Sequence, residues 1–417
     1  MNNRMWKKHM DDVFGILSRF TLAGVLSVVL VLPANAGDRE QARRIYDRIA
    51  GVPPTAQEML DLESAMAGTN TDCSGYTLNG QVDSAAECAA FLAMENKNFY
   101  NVTLKNFAAP WTNRDRSVFV PLNDYVATVF GLIRVNEPFN ELLSRVITYF
   151  GRPGVVPTGP AANSNRHYEE LEERNIDLKA ELVPGLQSTV NNIPTGAAAG
   201  VMTSRAAAEA FFVAGTNRAM FRFTMINHFC NDMEQLHDPA LSPDRIRQDV
   251  SRSPGGDSRL FLNNCVGCHT GMDPMAQAFA YYDYDEVNTM SIQYTPGTVN
   301  DKYFNNDLNF PQGYRTPDDQ WTNYWRSGQN SYLFIDSTTP GEGAGAQSLG
   351  AELGNSDAFA KCQVKKVFRA VCLRDPDLGD PNSGDFARFN AIVSTFKGTG
   401  YRMKQVFADT AVHCMGQ

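Results

Sequence analysis

The spacing of apolar side chains along the chain predicts a mostly helical protein. The segment 364–371 places valine and phenylalanine at i, i+3, i+4 and i+7, and a looser form of this period runs through 386–396. The runs 125–130 and 142–150 are apolar enough for core helices, and 205–237 has the pattern of one long helix. Alternating strand patterns are few and short. The predicted class is a mostly α, multi-helical body with a loop-rich region and few or no strands.

The same pattern predicts how the chain is divided. Thr55 and Glu58 follow two prolines and have the form of a capping box at a helix start. Prolines and glycines then interrupt the helical period, and a long stretch rich in Gly, Pro, Asn and Asp replaces it later. The predicted segments are a leader at 1–36, a helical N-terminal region at 37–150, a linker at 151–165, a helical region at 166–252, a loop-rich region at 253–350, and C-terminal helices at 351–417 that pack on the loop-rich region.

Residues 1–36 have the three parts of a secretory signal. Basic side chains precede an apolar run at 20–32, and the small-x-small sequence at 34–36 offers a cleavage site. That run is shorter than the ~20 residues that span a bilayer, so we expect no membrane span once the signal is removed. An uncleaved anchor is the alternative. Cleavage before Gly37 predicts a bacterial protein that is periplasmic or secreted.

Composition and charge limit the classes of function. The 417 residues are 43% hydrophobic and 20% charged, which is typical of a globular protein. The formal net charge is −9, which offers no electrostatic footprint for gripping nucleic acid or an anionic membrane surface. Because nucleic-acid binding depends on neutralising phosphates with Lys and Arg, we expect no nucleic acid as a partner.

One short motif carries the candidate chemistry. Cys265, Cys268 and His269 form a C-x-x-C-H sequence, which is the attachment signal for haem c. Two thiols on one helical turn add to the two vinyl groups of one porphyrin, and the adjacent histidine becomes the proximal ligand of the iron. A redox C-x-x-C pair would need a βαβ context, and a zinc site would need a second pair of ligands. The loop-rich region at 253–350 is therefore the predicted haem c region, with one haem.

The sixth iron ligand decides what kind of haem protein this is. An occupied position protects the iron and favours electron transfer, whereas an open one admits small molecules. Met225 and His228 are three residues apart on the predicted long helix and share one face. Met290 and Met403 lie farther along the chain and are also candidates. The sequence does not choose among these four.

The remaining six cysteines are even in number, as expected for disulfides in an oxidising compartment. Cys73 and Cys88 lie in one loop-rich stretch and are predicted to pair. Of the other four, Cys362 and Cys372 lie ten positions apart on a predicted helix at 359–372. Their separation of roughly 15 Å exceeds the ~7 Å that a disulfide bridges, so these two are not expected to pair with each other. The pairing order stays open among Cys230, Cys362, Cys372 and Cys414.

Several stretches together resemble a known family. They are 44–55, the Asn-Asp-Tyr at 123–125, and the block 265–274 with its continuation to Asp283. This combination is similar to the large single-haem c-type cytochromes of planctomycetes and marine bacteria, which share a C-x-x-C-H-x-x-M-D-P block. The resemblance implies a secreted haem c protein. From this resemblance, a role in haem binding is assigned to Cys265, Cys268 and His269 alone.

These observations predict a periplasmic mono-haem cytochrome c that carries out one-electron transfer with a redox partner protein. One difficulty is size, because a minimal haem c domain needs on the order of 100 residues. The excess implies a docking surface, a substrate pocket or a partner subunit. One alternative is a haem enzyme of the peroxidase or oxygenase type, in which Arg218, Arg222 or His228 acts at an open distal site. The other is an assembly or binding protein with a structural haem.

Overall fold

A computed structural model describes residues 37–76, 84–213, 216–335 and 337–416. The described residues are mostly helical, with 55% in helices and 8% in strands, and their strands form only small two-stranded sheets. The predicted fold class is therefore confirmed. The predicted leader at 1–36 lies outside the described residues.

The α-helices of seven or more residues are labelled in chain order. They are α1 Asp38–Ala50, α2 Ala56–Met66, α3 Ala85–Met94, α4 Asp124–Arg134, α5 Arg166–Glu173, α6 Arg205–Phe211, α7 Arg218–His228, α8 Val266–Ala276, α9 Gly345–Gly354, α10 Asp357–Cys372, α11 Gly384–Gly398 and α12 Met403–Cys414. Shorter α-helical turns cover Lys105–Ala108, Leu178–Glu181, Gln187–Val190 and Ser258–Leu260. Wider, π-helical turns cover Phe99–Leu104 and Phe261–Cys265.

Local side-chain chemistry explains where these helices begin. The Oγ1 atom of Thr55 accepts a hydrogen bond from the backbone N–H of Glu58, and the Glu58 carboxylate accepts one from the N–H of Thr55 at 2.8 Å. This confirms the predicted capping box at the start of α2. Ser356 caps α10 by accepting from the N–H of Phe359 at 3.1 Å. Each cap satisfies amides that would otherwise lack partners at a helix N-terminus.

Six short strands form three antiparallel pairs. They are β1 Ile147–Gly151 with β2 Leu182–Leu186, β3 Tyr282–Asp285 with β4 Ser291–Tyr294, and β5 Gln320–Thr322 with β6 Glu342–Ala344. The core helix predicted at 142–150 is wrong. A 3₁₀ turn at Phe139–Leu143 leads into β1, which packs on α4. Periodicity alone does not distinguish a short apolar run in a strand from one in a helix.

The two ends of the chain pack together. Helices α1, α2 and α3 contact one another, and α12 packs on α1, α3, α10 and α11. We call these six helices, α1–α3 and α10–α12, the terminal bundle. A continuous apolar core runs from Ala42 in α1 to Ala411 in α12 and includes α4, α7 and α8. The helix that carries the C-x-x-C-H motif is therefore attached to the main core of the molecule.

The long helix predicted at 205–237 is two helices, α6 and α7. Asn217 adopts a left-handed conformation with φ of 57° immediately before α7, and α7 ends at His228. Cys230 is also left-handed, with φ of 56°, and is bonded to Cys362. A left-handed residue cannot continue a right-handed helix, which explains both interruptions. In addition, the C-terminal part contains three helices, α10 to α12, where the pattern predicted two.

Three disulfides occur among the described residues. Cys73 is bonded to Cys88, as predicted. Cys230 pairs with Cys362 across 132 residues, and Cys372 pairs with Cys414. These two bonds give the pairing of the four cysteines that the sequence left open. They are consistent with an oxidising compartment outside the cytoplasm. In the part of the chain that the structure describes, no helix is both long enough and apolar enough to cross a membrane.

Candidate functional site

The motif residues lie at the start of α8 and share one side of it. Cys265 ends the π-helical turn that leads into α8, and Cys268 and His269 follow at i+3 and i+4. Among the described residues these two cysteines are the ones outside disulfides, and both are half-buried. The Cys268 thiol donates to the carbonyl of Met233 at 3.4 Å. Burial raises the pKa of this thiol, and nearby Glu234 adds to the effect.

The opposite side of α8 is held by close backbone packing. A Cβ atom on Gly267 would lie 2.5 Å from the ring of His237, and one on Gly271 would collide with the indole of Trp325. Between them, the Thr270 hydroxyl donates to the carbonyl of Asp238 at 2.9 Å. Because both glycines admit a ring against the helix backbone, this side of α8 is fixed. The motif side chains are left on the more accessible side, where the His269 side chain is 18% exposed.

A buried ion network holds the ring of His269. Its Nδ1 atom lies 3.1 Å from Oδ2 of Asp273, one turn later on α8. Arg218 on α7 donates from Nε to Asp273 at 2.7 Å and also bonds to Asp249 at 2.8 Å. Burial alone would raise the pKa of Asp273, but Arg218 and His269 outweigh it and hold that pKa well below its usual range. With Nδ1 hydrogen-bonded to a carboxylate, Nε2 of His269 is the nitrogen available to a metal.

The surroundings of the motif fit a porphyrin. Cys265 packs against a small apolar cluster, and Leu260 and Leu262, just before it in the chain, are 45% and 60% exposed. Phe261 between them is buried, with the Arg252 guanidinium 5.4 Å from its ring centroid. Two thiols, an imidazole with a free nitrogen and an apolar surface are the groups that a covalent haem c requires. Within the described residues, no group of three or more His, Cys, Asp and Glu side chains could hold a metal ion by itself.

Two of the four distal candidates lie on α7, which packs directly on α8. Met225 is fully buried in the main core. His228 has both ring nitrogens engaged: Nε2 lies 2.7 Å from the Tyr125 hydroxyl and Nδ1 lies 3.3 Å from Nε2 of Gln363. Burial, together with nearby Lys366, lowers the pKa of His228 well below its usual value. His228 would have to give up these contacts to bind iron.

The other two candidates lie in different surroundings. Met290 precedes β4 in the β3–β4 turn, is 53% exposed and lines a surface cavity with Arg205 and Glu209. Met403 begins α12 and is 1% exposed in the core of the terminal bundle. The structure thus brings together Cys265, Cys268 and His269, and it places Met225 and His228 on the neighbouring helix.

The residues around Asp273 are the part of the site that sequence reasoning missed. Arg218 was expected only as a distal group in the enzyme alternative, whereas it is bound to two buried carboxylates. Arg222, the second such candidate, pairs with Asp232 through two hydrogen bonds of 2.7 and 2.6 Å. The sequence does contain one signal for the contact between His269 and Asp273: they are four residues apart and therefore lie on the same helical face.

Comparison with protein-family models, with curated proteins and with solved structures finds no match to this chain. The resemblance to large single-haem cytochromes therefore stays a prediction that rests on the quoted residues. The geometry around α8 carries the functional argument.

Proposed function

We propose that this chain is a periplasmic cytochrome c with one covalently attached haem, which transfers single electrons to or from a redox partner protein. Cys265 and Cys268 would tether the haem, and Nε2 of His269 would bind its iron. The observation that carries the proposal is that these three side chains lie together at the start of α8 while the six other cysteines are in disulfides. A bound haem c supplies a reversible one-electron couple.

The chain's own residues have distinct parts in this proposal. Asp273 orients the His269 ring and accepts its Nδ1 hydrogen, while Arg218 keeps Asp273 ionised and in place. The exposed Leu260 and Leu262 supply apolar surface beside the motif. Since electron transfer requires close approach to the cofactor, this edge is where we expect the partner protein to dock. The disulfides agree with export, and the periplasm follows from the predicted signal at 1–36.

A second candidate is a haem enzyme of the peroxidase or oxygenase type. The observation in its favour is the hydrogen bond between His269 and Asp273, because a carboxylate partner makes a metal-bound imidazole more basic. In that case no protein side chain would occupy the distal position permanently.

The deciding experiment is a visible spectrum of the exported protein, oxidised and reduced, with and without CO. We expect haem that resists acid–acetone extraction and a low-spin spectrum that CO does not change. The double variant Cys265→Ser with Cys268→Ser should lose the covalent haem. The sixth ligand should then be identified by four single variants, since loss of that ligand makes the spectrum high-spin. The four are Met225→Leu, His228→Gln, Met290→Leu and Met403→Leu.

Each outcome has a clear meaning. A high-spin spectrum that shifts with CO would favour the enzyme over the electron carrier. The absence of covalent haem in protein exported by a host that attaches haem c would overturn both candidates. Mass spectrometry of the same preparation should give an N-terminus at Gly37, and a retained leader would contradict the proposed cleavage.

A further inference from the structure

A cavity of about 770 Å³, which no residue of the motif lines, lies between α1, the 3₁₀ turn Ala109–Thr112 and α10. Its apolar lining includes the side chains of Val102, Phe107, Trp111 and Leu373. A cavity of this volume, with an apolar wall and several polar and charged groups around it, has the size of sites that bind small organic molecules.

A lysine is part of the lining of this cavity. The ammonium nitrogen of Lys366 is 3.9 Å from the centroid of the Trp111 ring, and it donates a hydrogen bond to the backbone carbonyl of Asn227. The Asn227 side chain in turn donates to the carbonyl of Trp111 at 2.9 Å. The two residues that contact the Lys366 ammonium, Asn227 and Trp111, are thus bonded to each other. In the described part of the chain, no carboxylate forms an ion pair with Lys366.

Further cations surround Lys366. A second cavity of about 480 Å³ shares Arg116, Lys366 and Arg369 with the first. Arg48 lines the first cavity, and its Nη1 atom is buried with no hydrogen-bond partner among the residues described. Among these cations, Arg369 is the one that forms an ion pair with a carboxylate of the described residues, since it pairs with Asp375 at 2.7 Å. Positive charge is therefore concentrated beside an apolar wall.

The acidic groups at these cavities do not balance the cations. Asp47 and Asp115 line the first cavity; Oδ2 of Asp47 lies 3.6 Å from Nε of Arg43, and its Oδ1 is buried without a hydrogen-bond partner among the residues described. Asp232 lines the second cavity and is bound to Arg222. Burial, and then the repulsion from Arg116 and Arg369, lowers the pKa of Lys366 well below its usual value. Such repulsion is relieved when an anion binds between the cations.

We propose that the cavity binds a small organic carboxylate, with the carboxylate between Lys366 and Arg116 and an aromatic or aliphatic body against Trp111. The charge-assisted hydrogen bonds fix the anionic end, and the apolar wall selects the body. The haem is not needed for this site, so the inference stands or falls separately from the proposed function.

The test is calorimetric titration of the full exported protein with benzoate and with benzamide, its uncharged analogue of the same shape. We expect saturable benzoate binding and benzamide binding that is at least about tenfold weaker. Lys366→Met should weaken benzoate binding by about tenfold or more, because it removes the charge and keeps the apolar stem. The matched control is Lys361→Met, on the same helix and paired with Asp357, which should leave benzoate binding unchanged.

A second variant keeps the proposal testable if Lys366→Met does not fold. Arg116 is exposed, so Arg116→Gln should retain the wild-type unfolding temperature while weakening benzoate severalfold. The proposal is overturned by the absence of saturable benzoate binding, by equal binding of benzoate and benzamide, or by equal affinities of the Arg116→Gln and Lys361→Met variants.

Discussion

The terminal bundle and the central region, residues 216–344, are held together by different forces. In the terminal bundle, buried aliphatic and aromatic side chains of six helices interlock, and Phe407 of α12 also packs edge-to-face at 5.1 Å on Phe99 of the neighbouring π-helical turn. In the central region, arginines organise the irregular backbone: Arg252 lies between the rings of Phe261 and Phe310, and Arg247 lies over Tyr303. Apolar contacts tolerate repacking, whereas a buried cation requires particular partners.

The difference has a structural cause. Regular helices satisfy their own backbone groups and leave an apolar face to bury. The central region has long loops between short helices and strands, so side chains must supply the directional contacts that secondary structure does not. Arg326, which donates to Glu352, Thr339 and the Ser337 carbonyl, does this for the loop before β6. We therefore expect the central region to be the more sensitive to single charge substitutions.

The largest expected effect is the loss of Arg218. Arg218→Met leaves Asp273 and Asp249 buried without their main cation, which should cost about 3–5 kcal/mol of unfolding free energy. The matched control is Arg222→Met on the same helix, since its pair with Asp232 is at the surface and should cost less than about 1 kcal/mol. Urea unfolding measures both. Equal losses in the two variants would contradict the claim that the buried ion network stabilises the central region more than a surface ion pair does.

The next effect concerns packing around α8. Gly271→Ala puts a methyl group into the Trp325 ring, and relieving that overlap should cost about 1–3 kcal/mol. In the terminal bundle, a Cβ on Gly398 meets open space, so Gly398→Ala should be neutral or stabilising by up to about 1 kcal/mol. Thermal unfolding of the two variants checks the prediction. A stable Gly271→Ala protein would mean that Trp325 moves easily and that α8 is not fixed from that side.

A smaller effect is expected at His228, which belongs to the central region and contacts Gln363 of the terminal bundle. Tyr125→Phe removes the hydroxyl from Nε2 of His228 and leaves a buried nitrogen without that partner, at a cost of about 1–2 kcal/mol. Tyr332→Phe, at a half-exposed ring, is the control and should change stability little. Chemical denaturation resolves a difference of this size. If the chain carries the proposed haem and Tyr125→Phe changes its spectrum, His228 acts at the iron rather than in the core.

The smallest effect belongs to the terminal bundle and depends on pH. Burial would raise the pKa of Glu58, but hydrogen bonds from Tyr46, Thr55 and other groups lower it from 4.5 to about 2. A lowered pKa in the folded state gives stability that is complete above pH 4.5 and lost as the pH falls toward 2.

Glu58→Gln should therefore be less stable than wild type at neutral pH, by less than about 1 kcal/mol because solvent screens this half-buried group. The difference should shrink with acidification through that window. Urea midpoints at several pH values measure it, with Glu40→Gln on α1 as the control. A difference independent of pH would contradict the role of the Glu58 charge.

Local chemistry explains what could be predicted from the sequence. The helical class, the cap at Thr55, the Cys73–Cys88 bond and the common face of Cys265, Cys268 and His269 all depend on residues close together along the chain. Such features are specified by spacing and turn chemistry.

Long-range contacts account for what was missed. The end of α7 coincides with the left-handed Cys230, whose disulfide partner is 132 residues away. Similarly, the ion network at His269 needs Arg218, which lies 55 residues before Asp273. A pattern of apolar positions contains no information about such partners, so neither the helix boundary nor the network was accessible to it.

The Cys230–Cys362 disulfide has a consequence for biogenesis. Cys265 and Cys268 lie inside the 132-residue segment that this bond closes, so a chain exported from its N-terminus presents them before Cys362 arrives. An oxidase that joins cysteines in order of emergence would connect Cys230 to one of the motif thiols instead. Under the proposed haem attachment, the motif pair would have to be kept free by a reductant, or the wrong bond repaired by an isomerase. The yield of properly assembled protein should depend on the thiol-handling enzymes of the host.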